Sequence, residues 1–489
     1  MHNFSVGFTF TVYLLLVFAV GVYAYRRTHN TTDYFLGGRG LSPFVCALSA
    51  GASDMSGWVM IGLPGFAYLA GLEAVWMAGG LCVGVALSWL LVAKRLRVYS
   101  FQLDDALTLP MYFHRRFNSK GPWLRGICAV FILLFFLFYV SSGLVGGAKL
   151  FASVFGMDYQ WAVLFGALAV ISYTLFGGFL AVCWTDVVKA LLMSLGLIVV
   201  PVLIITGLPD FTGVLASKNP AMLDMWSNQQ GEPLTFVAWA SLVGWGLAYF
   251  GQPHILARYK GINSAENVGK AAAIAIGWSL LVYSFSILVG MSGAAFIEQP
   301  LPDSEKVFIV LVEMIFNPWV AGVLLAAILA AIMSTVDSQL LVCSSALAED
   351  LLAGWGKPVD SRVALKLGRV AVVVIAVFAA ILALNPESKV LDVVAYAWGG
   401  LGAAFGPALL VSLYWPRMTF AGAMAGVVVG GSVVVIWAQL HGGWFDLYEL
   451  VPGFFLSLVS VFVVSLLTPV PGESVLRHFN TMRDEVCCK

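Results

Sequence analysis

Asp54 lies in the middle of a run of small, apolar and hydroxyl-bearing residues that extends from Ser49 to Trp58. A carboxylate near the centre of a membrane-spanning helix costs about 2.5–3.5 kcal/mol even on the most permissive insertion scale, so it requires a partner. Gly51 and Gly57 flank Asp54 and weaken the continuity of the helix, which frees backbone carbonyl groups. Because a carboxylate and freed carbonyls both attract positive charge, this segment predicts a binding site for a cation.

A second cluster of polar groups lies in the otherwise apolar run from Ala330 to Gln339. Ser334, Asp337 and Ser338 are spaced i, i+3 and i+4, so they share one face of a helix. Serine hydroxyls in such helices also bond to the carbonyl one turn earlier, which is the packing alternative, but Asp337 cannot be neutralised in that way. Hydroxyls and freed carbonyls supply the oxygen ligands that a hard monovalent cation prefers.

The segment from Gly244 to Pro253 is apolar, interrupted by glycines and closed by a proline. It lies five predicted spans after the segment that contains Asp54. Two interrupted helices at matched positions indicate an inverted repeat of five helices plus five, with the substrate site at the bilayer midplane. The alternative is that these Gly and Pro residues only permit close helix packing.

The composition is that of a polytopic membrane protein. Hydrophobic residues make up 60% of the chain, charged residues 11%, and the mean hydropathy is +0.92, whereas soluble domains have roughly 45–50% and 25%. The 26 basic and 26 acidic residues balance, which gives no reason to expect nucleic acid as a partner. The sequence has no phosphate-binding Gly-Lys-Ser/Thr loop and no hydrolase motif, so we expect neither ATP use nor an enzyme.

About thirteen apolar segments are long enough to span a bilayer. They lie near residues 5–25, 42–70, 74–93, 126–148, 160–181, 186–207, 233–256, 271–296, 308–345, 367–384, 390–414, 418–438 and 448–468. If the N-terminus is outside, 21 of the 26 Lys and Arg residues lie on the cytoplasmic side and four outside. This asymmetry predicts a multi-pass protein of the cytoplasmic (inner) membrane, with the N-terminus outside and the C-terminus in the cytoplasm.

Five strings of residues resemble those of the sodium/solute symporter family, and within it the bacterial branch that carries proline. They are Leu36–Arg39, Ala47–Trp58, Gly177–Asp186, Gly244–Arg258 and Ile328–Thr335. The resemblance implies an all-α, LeuT-like core of five plus five helices in spans 2–11. It also implies import of L-proline by alternating access, with Na⁺ as the coupling ion and no other cofactor.

This organisation predicts that the chain is divided into five parts. They are a first helix and cytoplasmic loop over 1–41, the first repeat over 42–207, the second over 208–414, two additional helices over 415–468 and a cytoplasmic tail over 469–489.

The resemblance also implies roles for individual residues. The sodium ion is implied to bind the carbonyls of Ala52, Met55 and Ala331 and the hydroxyls of Ser334 and Thr335. Ion coupling is implied to depend on Asp54, Ser56, Arg39 and Asp186. Proline is implied to lie among Gly57, Trp58, Tyr139, Trp245, Tyr249 and Pro253.

Aromatic faces suit a pyrrolidine ring, because its secondary ammonium can lie over an indole or a phenol. The alternative for Trp245 and Tyr249 is plain packing or an interfacial belt. On its own, Tyr139 is typical of a packing aromatic. The same fold can also carry another small amino or organic acid, or serve as a sensor or channel.

Asp337 departs from the proline transporters that the chain resembles, which have a hydroxyl residue at this position. A carboxylate there can bind a second cation, pair with a neighbouring donor or remain protonated. We hypothesise that Asp337 modifies ion coupling. The alternative is a hydrated carboxylate that faces the cytoplasmic vestibule.

Overall fold

A computed structural model of the chain describes residues 2–25, 37–119, 121–174, 178–352 and 361–488. Within these ranges the secondary structure is helical, and strand pairing is limited to two isolated bridges. The motif residues Leu36 and Gly177 lie outside the described residues.

The first half of the chain contains two π-helical turns, Trp58–Gly62 before α3 and Ser88–Ala93 between α4 and α5. Its α-helices are α1 (His2–Tyr25), α2 (Pro43–Asp54), α3 (Leu63–Ala70), α4 (Ala74–Leu87), α5 (Lys94–Gln102), α6 (Leu109–Arg116), α7 (Trp123–Phe155), α8 (Tyr159–Thr174) and α9 (Phe179–Gly207).

The second half contains a 3₁₀ segment, Trp245–Gly251, between α11 and α12. Its α-helices are α10 (Phe211–Lys218), α11 (Phe236–Gly244), α12 (Pro253–Gly261), α13 (Val268–Phe296), α14 (Val307–Ile315), α15 (Pro318–Ser345), α16 (Ser361–Leu382), α17 (Val390–Tyr414), α18 (Phe420–Trp437), α19 (Leu450–Leu467) and α20 (Glu473–Cys488).

The predicted ninth span over 308–345 is wrong as a single helix. The chain leaves the helix after Ile315, and α15 starts anew at Pro318. The Asn317 side chain caps α15 by accepting hydrogen bonds from the backbone N–H groups of the next turn at 3.1 and 3.2 Å. Asparagine before proline is a strong start signal, because the cap satisfies free N–H groups and proline needs none.

Eight helical stretches in the described ranges are long and apolar enough to cross a membrane. One of them, Trp58–Gln102, contains both the end of the second predicted span and the third. Shorter apolar helices occur at Phe4–Val20, Tyr159–Ile171 and Phe236–Gly251. The chain is therefore a helical membrane protein.

Helix α2 lies at the centre of the bundle, where it packs against α9, α12, α13 and α15. The 3₁₀ segment before α12 packs against α17 and α4, and α17 also contacts α7. Helices α1, α18 and α19 lie outside this group, α1 against α9 and α15, the other two against α17. This arrangement encloses the C-terminal end of α2 on all sides.

Candidate functional site

The break that the sequence predicts in the second span is confirmed. Helix α2 ends at Asp54, and Met55 adopts φ −77° and ψ 78°, outside the helical region. The Met55 N–H still donates to the Gly51 carbonyl at 2.8 Å, but the chain resumes a helical path only near Trp58. The break therefore lies where the carboxylate is, in the middle of the bundle.

The second predicted break is also confirmed. The 3₁₀ segment ends at Gly251, Gln252 is extended with φ −87° and ψ 104°, and Pro253 begins α12. A Cβ atom on Gly251 would lie 2.6 Å from the backbone nitrogen of Gly406 in α17. Glycine is thus required for the close approach of these two segments.

Oxygen atoms cluster between the end of α2 and the middle of α15. The Ser334 hydroxyl oxygen lies 2.7 Å from the carbonyl oxygen of Ala52 and 2.9 Å from that of Ala331, and its one proton can be donated to either. The Thr335 hydroxyl lies 3.3 and 3.4 Å from the same two carbonyl oxygens. Four of the five residues predicted to bind sodium thus meet, and the fifth, Met55, is buried at the break itself.

This cluster has the donor set of a sodium site, because it consists of neutral oxygen atoms away from water. Ser334 and Thr335 are at most 1% exposed. A hydroxyl has two lone pairs and a proton that rotates, so both side chains can turn their oxygen atoms towards a cation. Hydroxyl and carbonyl ligands suit a hard ion such as Na⁺.

The Asp54 residue is held by four aromatic side chains. Tyr249 donates a hydrogen bond to Oδ2 of the carboxylate, and the Tyr283 hydroxyl lies 3.4 Å from the same atom. The backbone carbonyl of Asp54 accepts from Trp58 Nε1 at 3.0 Å and from the Tyr139 hydroxyl at 3.2 Å. The carboxylate Oδ1 is buried and accepts no hydrogen bond from any described residue.

Aromatic rings form a box around this carboxylate. The Trp58 ring lies 5.9 Å from Tyr283 and 6.2 Å from Trp245, and Tyr249 packs edge-on against Trp398 at 5.0 Å. Trp398 also donates through Nε1 to the Trp245 carbonyl at 2.9 Å. Such a box can hold an apolar ring and a positively charged nitrogen together.

Sequence reasoning missed Tyr283 and Trp398. Both lie near the middle of an apolar helix, whereas aromatics of the interfacial belt lie near helix ends. Their depth was the one signal available, and it does not separate them from packing residues.

Three other residues that the sequence singled out, Gly57, Ser56 and Pro253, make contacts outside the aromatic box. A Cβ atom on Gly57 would lie 3.1 Å from Ile332 Cγ1, so this glycine permits the approach of α15. Ser56 is buried, and its hydroxyl oxygen lies 3.4 Å from the Trp58 backbone nitrogen. Pro253 lines a different cavity, together with Thr108 and Asp350.

Asp186 and Asp337 belong to a buried group of charges next to the oxygen cluster. Asp186 accepts hydrogen bonds from the Ser49 hydroxyl at 2.8 Å and from Arg258 at 3.3 Å. Asp337 pairs with the ammonium of Lys189 at 3.1 Å, and both side chains are fully buried. The interpretation of Asp337 as a hydrated carboxylate in a vestibule is therefore wrong.

Arg39 lies apart from both clusters, where the segment before α2 meets the end of α12. Its guanidinium pairs with Asp105 and donates to the Lys260 carbonyl at 2.7 Å. Arg39 has φ 54°, a left-handed conformation that is uncommon for a residue with a Cβ atom. Burial lowers the pKa of Lys260 to about 7, and the positive charge of Arg39 adds to the effect.

Two broken helices that enclose oxygen ligands and an aromatic box are the architecture of a cation-coupled secondary transporter. The sequence model of the sodium:solute symporter family matches residues 34–430. The chain belongs to this family.

Curated relatives match nearly the whole chain. A protein of Salmonella typhimurium named sodium/proline symporter is 48% identical over 96% of this chain and 95% of its own length. The protein of the same name from Escherichia coli K12 has the same identity and coverage. The high-affinity proline transporter PutP of Bacillus subtilis is 44% identical over 95% of this chain and 98% of its own length.

Solved structures share the fold at low sequence identity. A Na⁺-coupled sialic acid symporter in a substrate-bound, outward-open state has a TM-score of 0.78 at 18% identity, over 97% of this chain and 99% of that one. Mhp1, a nucleobase-cation-symport-1 family transporter in a closed conformation, has a TM-score of 0.55 at 15% identity, over 93% and 99%.

Proposed function

We propose that this protein is a sodium-coupled symporter that imports L-proline across the cytoplasmic membrane by alternating access. The observation that carries the proposal is that one helix break, at Asp54, borders both the oxygen cluster and the aromatic box. Curated relatives named for sodium and proline, at 48% identity over 96% of the chain, support the choice of ion and solute.

The sodium ion binds between α2 and α15 in this proposal. Its ligands are the carbonyl oxygens of Ala52, Met55 and Ala331 and the hydroxyl oxygens of Ser334 and Thr335. The contacts among Ala52, Ala331, Ser334 and Thr335 support this set. Asp54 is part of the same break, so its negative charge adds to the potential that attracts the ion.

Proline binds in the aromatic box on the other side of the break. Trp58, Tyr139, Trp245 and Tyr249 supply apolar faces for the pyrrolidine ring, and Gly57 lets α15 approach the break beside it. The secondary ammonium of the substrate lies over these rings, which attract cations through their negative faces. Trp58 contacts Trp245, and Tyr249 contacts Trp398, whose indole N–H donates to the Trp245 carbonyl; these contacts support one common aromatic site.

Because sodium and proline bind on two sides of the same helix break, the sodium gradient can drive the uptake of proline. Sodium draws the end of α2 towards α15, which fixes Trp58 for the substrate, so the two ligands favour the same outward-open state. One sodium ion that moves down ~100 mV releases roughly 2.3 kcal/mol, and a tenfold gradient adds about 1.4 kcal/mol. Together these terms sustain a solute ratio of several hundredfold.

The membrane arrangement in this proposal has thirteen spans, with repeats over 42–207 and 208–414, two added helices and a cytoplasmic tail. The N-terminus is outside and the C-terminus is in the cytoplasm. The excess of Lys and Arg on one side of the predicted spans supports this orientation.

A competition panel tests the substrate. Uptake of labelled proline into cells that lack other proline carriers is measured in sodium, with unlabelled proline, other small amino acids, pantothenate and short carboxylates as competitors. We expect unlabelled proline to compete best. If another small amino or organic acid inhibits at far lower concentration and is itself taken up, that compound is the substrate and the proline assignment is wrong.

A further inference from the structure

The C-terminal helix α20 packs against the short helix α5. Val475, Phe479 and Met482 recur at i, i+4 and i+7, so they share one face of α20, and each is at most 6% exposed. The side chains of Arg483 and Asp484 are 53% and 67% exposed. A helix whose apolar face is buried in this way is a packed element of the fold.

Polar contacts fasten α20 to both ends of α5. Lys94, the first residue of α5, donates from its ammonium to the Val486 carbonyl at 3.2 Å. Gln102, the last residue, donates from its amide to the Glu485 carboxylate at 2.8 Å. A cation beside the last carbonyl groups of a helix is favoured, because these groups lack partners within the helix. The C-terminal helix therefore holds α5 along its whole length.

Phe479 covers a buried arginine at the end of α6. Arg116 is 1% exposed, and both of its terminal nitrogens are buried without a hydrogen-bond partner among the described residues. Its guanidinium carbon lies 5.4 Å from the centre of the Tyr99 ring, 5.1 Å from Phe117 and 5.2 Å from Phe479. Aromatic faces attract a cation and compensate for its loss of water. One of these three faces comes from the C-terminal helix.

The other face of α5 contacts the junction that Arg39 forms with the end of α12. Arg97 donates to the Ile262 carbonyl at 2.8 Å, and the Ser100 hydroxyl oxygen lies 3.4 Å from both terminal nitrogens of Arg39. With 3.6 residues per helical turn, Arg97 and Ser100 lie opposite the residues of α5 that contact α20. Helix α5 thus lies between the C-terminal helix and this junction.

The junction borders a cavity that leads from the second helix break. Arg39 holds the Lys260 carbonyl, and the Lys260 ammonium donates to the Leu107 carbonyl. Lys260 and Leu107 line this cavity together with Ser345 and with Pro253, the first residue after the break. Because packed elements transmit displacements, a change in the docking of α20 reaches this cavity through α5.

We propose that α20 is a clamp that keeps the cytoplasmic side of the transport path closed, with Phe479 as its positioning residue. Phe479 acts through Arg116 and α5 on the Arg39 junction, and touches neither the proposed sodium site nor the aromatic box. The inference rests on the proposed function and orientation. When Phe479 leaves Arg116, α5 loosens and the junction opens out of step with the binding of the ligands.

Thiol labelling of the cavity tests this inference. Ser345→Cys is placed in an otherwise cysteine-free chain and is labelled in inside-out vesicles with a membrane-impermeant maleimide, without sodium or proline. Added Phe479→Ala should raise the labelling rate about tenfold, because the open state becomes more populated. Phe479→Tyr keeps an aromatic face over Arg116 and should label as slowly as the parent. Phe479→Leu keeps an apolar side chain without the ring and should label almost as fast as Phe479→Ala.

A transport assay gives the second readout, with rates expressed per proline-binding site so that loss of folded protein does not count. Phe479→Ala should lower the maximal rate about fivefold and leave the KM for proline and the sodium requirement near wild type, as expected for a conformational step. In Arg39→Gln, the same substitution should add less than about a twofold loss, since both residues act on one junction.

Unchanged labelling in Phe479→Ala would overturn the inference. So would Phe479→Tyr that labels as fast as Phe479→Ala, or losses of Phe479→Ala and Arg39→Gln that multiply. If Phe479→Ala does not show the wild-type elution profile in gel filtration, Phe479→Leu takes its place and slow labelling of that variant contradicts the clamp. Labelling needs no transport, so a chain that labels as expected and does not take up proline refutes the proposed function and leaves the clamp in place.

Discussion

Tyr249 donates a hydrogen bond to the Asp54 carboxylate and so joins the two broken helices of the bundle. Asp54 ends α2, whereas Tyr249 belongs to the 3₁₀ segment before α12. Tyr283 reaches the same carboxylate oxygen from α13 at 3.4 Å. The one acidic side chain at the break is therefore oriented by phenols that also line the aromatic box.

Removal of this hydrogen bond should weaken substrate binding. Tyr249→Phe deletes only the hydroxyl, and a hydrogen bond to a charged group contributes about 1.5–3 kcal/mol. We expect the KM for proline at saturating sodium to rise about tenfold or more. Tyr283→Phe is the matched comparison and should have a smaller effect, because its contact is longer. Equal KM values for Tyr249→Phe and the wild type would refute the role of this contact.

Loss of an oxygen ligand should raise the sodium requirement. Ser334→Ala removes a hydroxyl that lies 2.7 Å from the Ala52 carbonyl. We expect the sodium concentration for half-maximal uptake to rise about tenfold, the effect of one lost interaction of ~1.4 kcal/mol, while the KM for proline at saturating sodium changes little. Ser460→Ala, on α19, is the control, since its hydroxyl bonds only to its own helix at 2.8 Å. An unchanged sodium requirement in Ser334→Ala would remove this residue from the site.

Arg39 should affect turnover rather than ion affinity. Its guanidinium bonds to Asp105, to the Ser100 hydroxyl and to the Lys260 carbonyl at the end of α12, and none of these partners belongs to the proposed sodium site. We expect Arg39→Gln to lower the maximal rate and to leave the sodium requirement near that of the wild type. A double-mutant cycle with Asp105→Asn should give a coupling energy of about 0.5–3 kcal/mol for contacting residues. Additive effects, or a several-fold shift in the sodium requirement, would contradict this assignment.

A buried ion pair on the other side of the bundle should contribute to stability. The Lys149 ammonium lies 2.6 Å from Glu305, and Glu305 also accepts from the Val390 and Leu391 N–H groups at the start of α17. Lys149→Met leaves a buried carboxylate without this cation, and such losses cost about 3–5 kcal/mol. We expect a clearly lower Tm in detergent, measured by tryptophan fluorescence.

The matched variant for this pair is Lys149→Met/Glu305→Gln, which removes both charges and keeps an acceptor for the helix N-terminus. It should recover most of the lost Tm. If the single variant already has the wild-type Tm, or if the double variant is the less stable of the two, the pair does not stabilise the fold in this way.

Both helix breaks could be predicted because their signals are local. A lone carboxylate with glycines, as at Asp54, and glycines before a proline, as at Pro253, stand out within apolar runs. The start of α15 was missed although Asn317 and Pro318 signal it, because apolar residues on both sides made one long span the simpler interpretation.

The pairing of Lys189 with Asp337 could not be predicted from the sequence. These residues are 148 positions apart, and helix periodicity gives no information on which distant face each helix meets. The same reason hid Tyr283 and Trp398, whose roles depend on their approach to Asp54 and Tyr249 rather than on a motif.

The most direct measurement of the central claim is accumulation of labelled proline in proteoliposomes that contain only this purified protein. With sodium high outside, we predict that internal proline rises well above the external concentration and falls back when a sodium ionophore collapses the gradient. An equal potassium gradient should give no accumulation. Equilibration without concentration under the sodium gradient, or equal accumulation in potassium, would contradict sodium-coupled proline import.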